Sequence, residues 1–188
     1  MSLFTPTIYK RRLQDITVED LQTLGVRGLF LDVDNTLTTH RSQHLDPAIN
    51  DWLYRMQAAG ISLTVVSNSN PGRVRPFAEK IGLRHISFAC KPFPFGFWRA
   101  AKRLGLPLTE CAAVGDQAFT DIAGAHLAGV KSIQVLPIKM ETGKPLMAVK
   151  RRLEARILTR AMERREENPA QTAALREDSK YSGGKGKE

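Results

Sequence analysis

GLFLDVDNTLTTH, residues 28–40, is the stretch that decides the fold. It begins as a short apolar run, which is typical of a buried parallel strand. The run ends in two aspartates, Asp32 and Asp34, and their like charges repel each other unless a cation neutralises them. A solvated turn in which Asp34 and Asn35 cap backbone groups is the simpler explanation of this stretch alone. The rest of the chain is needed to choose between a turn and a ligand site.

Similar apolar runs recur along the chain and alternate with helical stretches. The candidate strands are residues 28–33, 61–66, 85–89, 111–115 and 131–136. Two helix starts are marked by Asp46 before Pro47 and by Asn70 before Pro71, because an N-cap residue followed by proline suits the first turn of a helix. The alternation predicts an α/β fold with a doubly wound, mainly parallel, five-stranded Rossmann-like sheet. Ligands of such sheets lie beyond the carboxyl ends of the strands.

Composition divides the 188-residue chain into one domain with extensions at both ends. Residues 1–27 form an N-terminal extension with a short helix that Thr17 can cap, and residues 28–138 form the α/β domain. Residues 139–165 form a basic helical segment. The polar tail, residues 166–188, is rich in small residues and is expected to be disordered.

The formal net charge of +9 comes from 28 basic and 19 acidic residues and favours anionic partners. Phosphorylated substrates, nucleic acids and acidic lipids all fit that charge. No stretch approaches the roughly 20 apolar residues of a membrane span, and the first residues lack the apolar core of a signal peptide, so we expect a cytoplasmic protein. Cys90 and Cys111 have no paired metal-ligand spacing, and we expect neither zinc nor a structural disulfide.

Polar residues follow the later strands as well. Ser67 ends the second strand, Lys91 follows the third, and Asp116 and Asp121 follow the fourth. Each alone is explained by a turn, a helix cap or a solvated charge. Together they bring a carboxylate pair, a hydroxyl, a lysine and a second acidic pair to successive strand ends, which favours a site for Mg²⁺ and a phosphoryl group.

This set, in this order, resembles the four motifs of the haloacid dehalogenase (HAD) superfamily of phosphohydrolases. The motifs correspond to Asp32-Val33-Asp34-Asn35-Thr36, Ser67, Lys91, and Gly115-Asp116 with Asp121. The match spans about residues 28–136. More narrowly, DITVEDLQTLGVRGLFLDVDNTL, VVSNSN, ACKP and VGDQAFTDIAGA resemble the YqeG group of class IIIA HAD phosphatases, whose eukaryotic relatives include the mitochondrial-type phosphatidylglycerophosphate phosphatases.

The resemblance implies a Mg²⁺-dependent phosphomonoesterase that works in two steps. Asp32 would attack phosphorus to form an aspartyl-phosphate, and Asp34 would protonate the leaving oxygen and then activate water. Lys91 would act in catalysis by neutralising charge. The phosphate-binding residues implied are Ser67, Asn68 and Lys91. The metal ligands implied are Asp32, Asp34 (through its backbone carbonyl), Asp116 and, directly or through water, Asp121.

The spacing of the motifs leaves no room for a substantial cap domain. The intervals from Thr38 to Ile61 and from Asn68 to His85 are each long enough for one crossover helix. An open crevice suits a large or surface-bound phosphomonoester, and the resemblance makes phosphatidylglycerophosphate the preferred substrate. A phosphatase for a soluble phosphometabolite is the alternative, and it needs the same catalytic residues.

Two segments bear on a membrane-bound substrate. KPFPFGFWRA, residues 91–100, brings four aromatic residues next to Lys91, where they pack as core in the simpler interpretation or enter the lipid interface in the other. The basic stretch 147–165 suits an anionic membrane surface or docking on the protein itself. A peripheral protein at the inner face of the membrane fits these features. A non-catalytic RNA- or ribosome-binding protein is disfavoured, because the chain has no RNA-binding signature.

Overall fold

Six strands and five helices are found in residues 3–139, the part of the chain that the computed structural model describes. The strands are β1 (Ile8–Tyr9), β2 (Gly28–Leu31), β3 (Ser62–Val66), β4 (Arg84–Ile86), β5 (Cys111–Gly115) and β6 (Lys131–Gln134). The helices are α1 (Val18–Thr23), α2 (Pro47–Ala58), α3 (Pro71–Lys80), α4 (Phe95–Leu104) and α5 (Ala123–Ala128). The predicted basic segment beyond Lys139 and the predicted tail, residues 166–188, lie outside the described residues.

The six strands form one parallel sheet in the order β1-β6-β5-β2-β3-β4. The chain runs outward from β2 to β3 and β4, then returns to β5 on the other side of β2 and continues outward to β6. The point where the direction reverses lies between β2 and β5. In open α/β sheets this is where a ligand crevice forms at the carboxyl ends of the strands. The predicted α/β fold is therefore confirmed.

The predicted number of strands was wrong by one, because the short strand β1 joins the sheet next to β6. Ile8 is in register with Ile133, and Tyr9 with Gln134. A two-residue strand carries no periodic pattern of its own, so its pairing depends on a neighbour more than a hundred residues away. The sheet thus begins well before residue 28. The short helix in this region is confirmed as α1, in which the Thr17 hydroxyl accepts a hydrogen bond from Asp20 N at 3.1 Å.

Both predicted helix starts are confirmed. The Asp46 carboxylate accepts a hydrogen bond from Ala48 N at 2.8 Å, and the Asn70 side-chain oxygen accepts one from Arg73 N at 3.0 Å. Within the described residues the only helix between β2 and β3 is α2, and the only one between β3 and β4 is α3. Each crossover therefore uses its residues to cover the sheet, and neither carries a cap domain. None of the helices in residues 3–139 has the length and apolar character needed to span a bilayer.

Alternating side chains of β2 divide the core between the two faces of the sheet. Leu29 and Leu31 belong to the larger apolar cluster with Trp52 of α2, whose indole N–H donates to the Ile16 carbonyl at 2.8 Å. Phe30 belongs to the second cluster, which includes side chains of α4 and α5. Because the strand is buried on both faces, the backbone at its carboxyl end has little freedom to move.

Candidate active site

The buried charged residues of the described chain lie at the carboxyl edge of the sheet. Asp32 directly follows β2, Ser67 directly follows β3 and Asp116 directly follows β5. The backbone N–H of Asp32 donates to the Val114 carbonyl at 3.0 Å, which extends the pairing of β2 with β5 by one residue. Parallel strands that end together thus bring side chains from distant parts of the sequence to one place.

Lys91 lies between two buried carboxylates. Its ammonium nitrogen is 2.6 Å from Asp32 Oδ1 and 2.5 Å from Asp121 Oδ1, and its side chain is only 3% exposed. A long cationic side chain is almost never buried this deeply unless it is paired. The structure therefore brings together the lysine and the first aspartate that the sequence predicted as catalytic.

Asn68 holds the backbone of Lys91 through both ends of its side-chain amide. The Asn68 oxygen accepts a hydrogen bond from Lys91 N at 2.7 Å, and the Asn68 nitrogen donates to the Lys91 carbonyl at 2.9 Å. The sequence predicted that Asn68 binds phosphate. The Asn68 side chain connects the end of β3 to the loop after β4 and so positions Lys91. Its role in binding phosphate stays a prediction.

Three carboxylates form a buried cluster at the reversal point. Asp32, Asp116 and Asp121 each offer an oxygen, and the three oxygens lie within 4.8 Å of one another. Lys91 is the cation in direct contact with two of them. Three negative charges against one positive charge leave an excess that is unfavourable in a buried site. Mg²⁺ prefers oxygen ligands and carries two positive charges, so this set of donors fits a magnesium ion.

Asp121 reaches the cluster through a π-helical turn over Ala118–Ile122. The Ile122 N–H donates to the carbonyl of Gln117, five residues earlier, at 3.3 Å. The Asp121 carboxylate also accepts a hydrogen bond from Gln117 N at 3.1 Å. It lies so close to Gly115 that a Cβ at that position would be 2.3 Å from the carboxylate. The sequence predicted Asp121 one helical turn after Asp116, and the π turn with Gly115 explains how it packs against the strand end.

The side chain of Asp34 lies apart from this cluster. Asp34 Oδ1 accepts hydrogen bonds from Arg73 Nη2 and Arg41 N, each at 3.0 Å, and Oδ2 accepts one from Ser69 Oγ at 3.1 Å. His40 Nδ1 is 3.9 Å from Oδ1. The carboxylate of Asp34 is thus surrounded by donors, and the metal role predicted for its backbone carbonyl stays a prediction.

The surroundings of the two aspartates shift their pKa values in opposite directions. Burial, assisted by Asp121 and Asp34, raises the pKa of Asp32 to about 7 although Lys91 opposes the shift. Burial also acts to raise the pKa of Asp34, but the Arg41 backbone N–H and Arg73 outweigh it, so that the pKa lies below its ordinary value. For Lys91, burial lowers the pKa, but Asp121 and Asp32 outweigh it and the net shift is upward. Lys91 therefore remains a cation at neutral pH.

Ser67 lies at the predicted strand end and is 2% exposed. Its backbone N–H donates to the Ile86 carbonyl at 2.9 Å, and its hydroxyl accepts a hydrogen bond from Ser69 N at 3.2 Å. These contacts fix the turn after β3. Its role in binding a phosphoryl group stays a prediction.

Arg73 and Ser69 are site residues that the sequence reasoning missed. Both follow Ser67 closely, and Arg73 lies in the first turn of α3, three residues after the Asn70 cap. An arginine so soon after a strand-end motif was a usable signal, because the first turn of such a helix faces the same edge of the sheet. That the partner of Arg73 is Asp34 could not be predicted, because the two residues lie 39 positions apart in the chain.

The aromatic residues after Lys91 are mostly exposed, so of the two interpretations of this stretch the simpler one, that most of them pack as core, is wrong. Phe97 alone of the four is buried, with its ring centroid 6.1 Å from that of Phe30. Phe93, Phe95 and Trp98 are 60%, 57% and 45% exposed, and their rings contact one another. The start of α4 has only one face against the sheet, so Phe97 points inward and its neighbours remain outside. We call Phe93, Phe95 and Trp98 the aromatic patch.

Comparisons with known proteins agree with the fold and identify the family. A family model described as a haloacid dehalogenase-like hydrolase matches residues 17–129. The probable phosphatase YqeG of Bacillus subtilis (strain 168) is 34% identical over 156 residues, which cover 83% of this chain and 90% of that protein. The predicted resemblance to the YqeG group is confirmed by this identity.

Two further similarities are more distant. The chloroplastic/mitochondrial phosphatidylglycerophosphate phosphatase 1 of Arabidopsis thaliana is 27% identical over 164 residues, covering 82% of this chain and 47% of that protein, so the match spans about half of its length. The crystal structure of an uncharacterized protein from Listeria monocytogenes serotype 4b aligns with a TM-score of 0.52 and 18% identity, covering 63% of this chain and 85% of that one. The latter supports the fold alone.

Proposed function

Because this chain belongs to the haloacid dehalogenase-like hydrolases, we propose that it is a Mg²⁺-dependent phosphomonoesterase with Asp32 as its nucleophile. The observation that carries this proposal is the buried cluster in which Lys91 bridges Asp32 and Asp121, with Asp116 alongside. A lysine so placed neutralises the charge that repels a carboxylate from a phosphoryl group. A turn or a helix cap does not require three buried carboxylates, and burying them is unfavourable unless their charge is neutralised.

The proposed reaction has two displacements at phosphorus. In the first, an Asp32 carboxylate oxygen forms a bond to phosphorus while the bond to the leaving alcohol oxygen breaks. Asp34, whose pKa is lowered in the structure, must take up a proton from solvent before this step and then gives it to the leaving oxygen. In the second, Asp34 takes a proton from water, the water oxygen bonds to phosphorus and the aspartyl-phosphate bond breaks. The products are an alcohol and inorganic phosphate, and Asp32 is regenerated as a carboxylate.

The other residues of the site support these two steps. Lys91 neutralises charge on the phosphoryl oxygens, and Ser67 donates a hydrogen bond to one of them. Asn68 acts indirectly by positioning Lys91. Asp32, Asp116 and Asp121, with the backbone carbonyl of Asp34, would hold Mg²⁺. The bound ion supplies the positive charge that lets a carboxylate approach an anionic phosphoryl group.

The proposed substrate is phosphatidylglycerophosphate, which yields phosphatidylglycerol and phosphate. Three observations support it: the similarity to a plant protein named as a phosphatase of this lipid, the absence of a cap between β2 and β4 in the described residues, and the aromatic patch. Exposed aromatic rings partition into the lipid interface, and the excess of basic residues attracts anionic lipid. We therefore propose a peripheral protein at the inner face of the cytoplasmic membrane.

The activity test compares phosphatidylglycerophosphate in anionic vesicles with a panel of soluble phosphomonoesters. We expect phosphate release that requires Mg²⁺ and is abolished by EDTA, with the lipid as the preferred substrate. Activity confined to soluble compounds would reject the lipid and favour a phosphatase of a soluble phosphometabolite. Salt-sensitive RNA binding without phosphatase activity would reject the enzyme altogether.

The aromatic patch provides a separate test of the membrane proposal. The variant Phe93→Ser/Phe95→Ser is expected to reduce sedimentation with anionic vesicles and to lower turnover of vesicle lipid. Turnover of a soluble phosphomonoester should stay unchanged, because neither ring belongs to the carboxylate cluster. Tyr54→Ser is the matched control, since Tyr54 is 73% exposed on α2. Equal vesicle binding by all three proteins would contradict a role for the patch.

A further inference from the structure

The π-helical turn over Ala118–Ile122 determines where the Asp121 carboxylate lies. The Gln117 carbonyl accepts a hydrogen bond from Ile122 N, five residues on, at 3.3 Å and another from Asp121 N, four residues on, at 2.9 Å. A regular α-helix keeps only the four-residue bond, and to form it the residues on one side of the turn must rotate about the axis by about 100°. Such a rotation would carry the Asp121 carboxylate away from the other two of the cluster. Contacts that hold the turn therefore hold the cluster together.

An aromatic residue of the N-terminal extension lies against this turn. The ring of Phe119, the second residue of the turn, meets the ring of Phe4 edge to face, with the centroids 5.1 Å apart and an angle of 66° between the planes. Both residues are partly buried. Aromatic pairs prefer this arrangement and are stabilised by it beyond the area that they bury. The contact thus joins the N-terminal extension to the turn that carries Asp121.

Hydrogen bonds hold the chain on both sides of Phe4. Before it, the Leu3 carbonyl oxygen lies 2.9 Å from His126 Nδ1 of α5, the helix that directly follows the turn. After it, Thr7 N donates to Ser132 Oγ at 3.1 Å, and Ser132 N donates to Thr7 Oγ1 at 3.0 Å. Ser132 Oγ is also 2.9 Å from His126 Nε2. The segment that carries the Phe4 ring is therefore fixed both to α5 and to β6.

The contacts of this region act on two different parts of Asp121. Lys91 and the Gln117 N–H hold its carboxylate, whereas the Phe4–Phe119 contact holds the turn from which that carboxylate projects. A ligand group binds a metal with full affinity only in the fraction of molecules whose backbone presents it. A contact that increases this fraction therefore increases the apparent affinity for the metal.

We propose that Phe4 is a positioning residue for Mg²⁺ binding, because through Phe119 it holds the π-helical turn in the conformation that presents Asp121 to the ion. The inference rests on the proposed function, since it takes Asp121 to be a Mg²⁺ ligand. Phe4 is not itself a member of the carboxylate cluster. The N-terminal extension thus contributes to the site, although it contains none of the four motifs.

The test measures Mg²⁺ binding and turnover separately in the full chain. Phe4→Ala is expected to raise the Kd of Mg²⁺, measured by calorimetry without substrate, by roughly two- to tenfold, which is the effect of losing an aromatic pair. The Mg²⁺ concentration that gives half-maximal phosphate release should rise by the same factor. The kcat at saturating Mg²⁺ should stay unchanged, because the ion then selects the competent conformation. Phe4→Tyr keeps the ring and should match the wild type.

Two further variants serve as controls for the contact. Tyr9→Ala removes another partly buried ring from the N-terminal extension, in β1, and should leave the Kd of Mg²⁺ unchanged. Phe119→Ala should reproduce the effect of Phe4→Ala. The double variant should bind Mg²⁺ no more weakly than either single variant, because each change removes the same contact.

A measurement without metal follows the turn itself. In EDTA, the amide of Ile122 should exchange its hydrogen faster in Phe4→Ala than in the wild type, because its bond to the Gln117 carbonyl opens more often. The exchange rate in Tyr9→Ala should equal that of the wild type. Unchanged exchange in Phe4→Ala would overturn the proposal.

Several results of the binding experiments would overturn it as well. These are an unchanged Kd in Phe4→Ala, an equal rise in Tyr9→Ala, additive effects of the two phenylalanine variants, or a fall in kcat at saturating Mg²⁺ with no change in Kd. Where Phe4→Ala does not fold, Phe4→Leu keeps the apolar side chain without the ring and should show a smaller rise in Kd. Failure of the wild-type protein to bind Mg²⁺ or to release phosphate would instead reject the proposed function.

Discussion

Asp32 and Asp34 are two residues apart in the chain, yet their surroundings are electrostatic opposites. Asp32 is buried with Asp116 and Asp121, and burial, assisted by the charges of Asp121 and Asp34, raises its pKa to about 7. Asp34 is bound by Arg73 and by the backbone N–H of Arg41, and its pKa is lowered. Two aspartates of one short motif thus have pKa values that are shifted in opposite directions. The difference comes from the strands and helices that each side chain meets, and the clearest experiments are those that separate the two aspartates.

The two aspartates also differ in the charge of the groups around them. The cluster around Asp32 lacks positive charge and fits a divalent cation, whereas the Asp34 carboxylate is already paired with Arg73. This is a physical reason to expect that the two aspartates of the motif have different roles.

The largest expected effect is the loss of turnover when Asp32, the proposed nucleophile, is replaced. Asp32→Asn should lower turnover on the order of 10⁴-fold or more, because an amide is nearly isosteric with a carboxylate but is a poor nucleophile. Phosphate release from the preferred substrate measures the loss. Trapping of an acid-stable phosphoprotein in the wild type, but not in the variant, checks the intermediate. Substantial turnover by Asp32→Asn would rule out the covalent mechanism.

The next largest effect is the loss of stability expected when Lys91, the cation beside Asp32, is replaced. Lys91→Met should destabilise the fold by about 3–5 kcal/mol, because it leaves Asp32 and Asp121 as buried carboxylates without their cation. Urea unfolding in EDTA measures the change, and added Mg²⁺ should restore part of it. Lys102→Met, at an exposed position of α4, is the control. Equal unfolding free energies for Lys91→Met and Lys102→Met would show that the buried ion pairs do not stabilise the protein.

The last comparison concerns the sign of the pH dependence of stability rather than its size. The pKa of Asp32 is raised on folding, so in EDTA its contribution to stability is present below pH 4 and is lost as the pH rises toward 7. The Asp32→Asn variant should therefore gain stability relative to wild type over that window.

The pKa of Asp34 is lowered, so its contribution is present above pH 4 and is lost as the pH falls through its folded value. Asp34→Asn should be less stable than wild type at pH 5 to 8, and the difference should shrink only in more acidic solution. Unfolding free energies of the three proteins, measured between pH 3.5 and 8, test both signs. Parallel curves for the two variants would contradict the contrast drawn between them.

Much of the fold could be predicted because its signals are local. The apolar run before Asp32 and the caps at Asp46 and Asn70 each lie within a few residues of the element that they specify. The strand β1 could not be predicted in this way. It has two residues, and only its pairing with β6 gives it a defined conformation.

The site could be predicted as far as the positions of the strand ends could be predicted. Asp32, Lys91, Asp116 and Asp121 follow successive strands, so a parallel sheet must bring them to one edge. The role of Asn68 was not predictable, because its partner is the backbone of a loop 23 residues away. The exposure of the aromatic patch was also not predictable, since it depends on which face of α4 the sheet covers.

By itself the sequence determined an α/β sheet and the residue types at its carboxyl edge, because apolar periodicity, helix caps and turn residues act over short distances. The tertiary structure alone decided the surroundings of each residue. It placed Asp32 among carboxylates and Asp34 beside Arg73, gave the Asn68 amide to Lys91 and left the aromatic patch exposed. Charge and burial depend on neighbours in space, and those neighbours are residues from distant parts of the chain that only the folded sheet brings together.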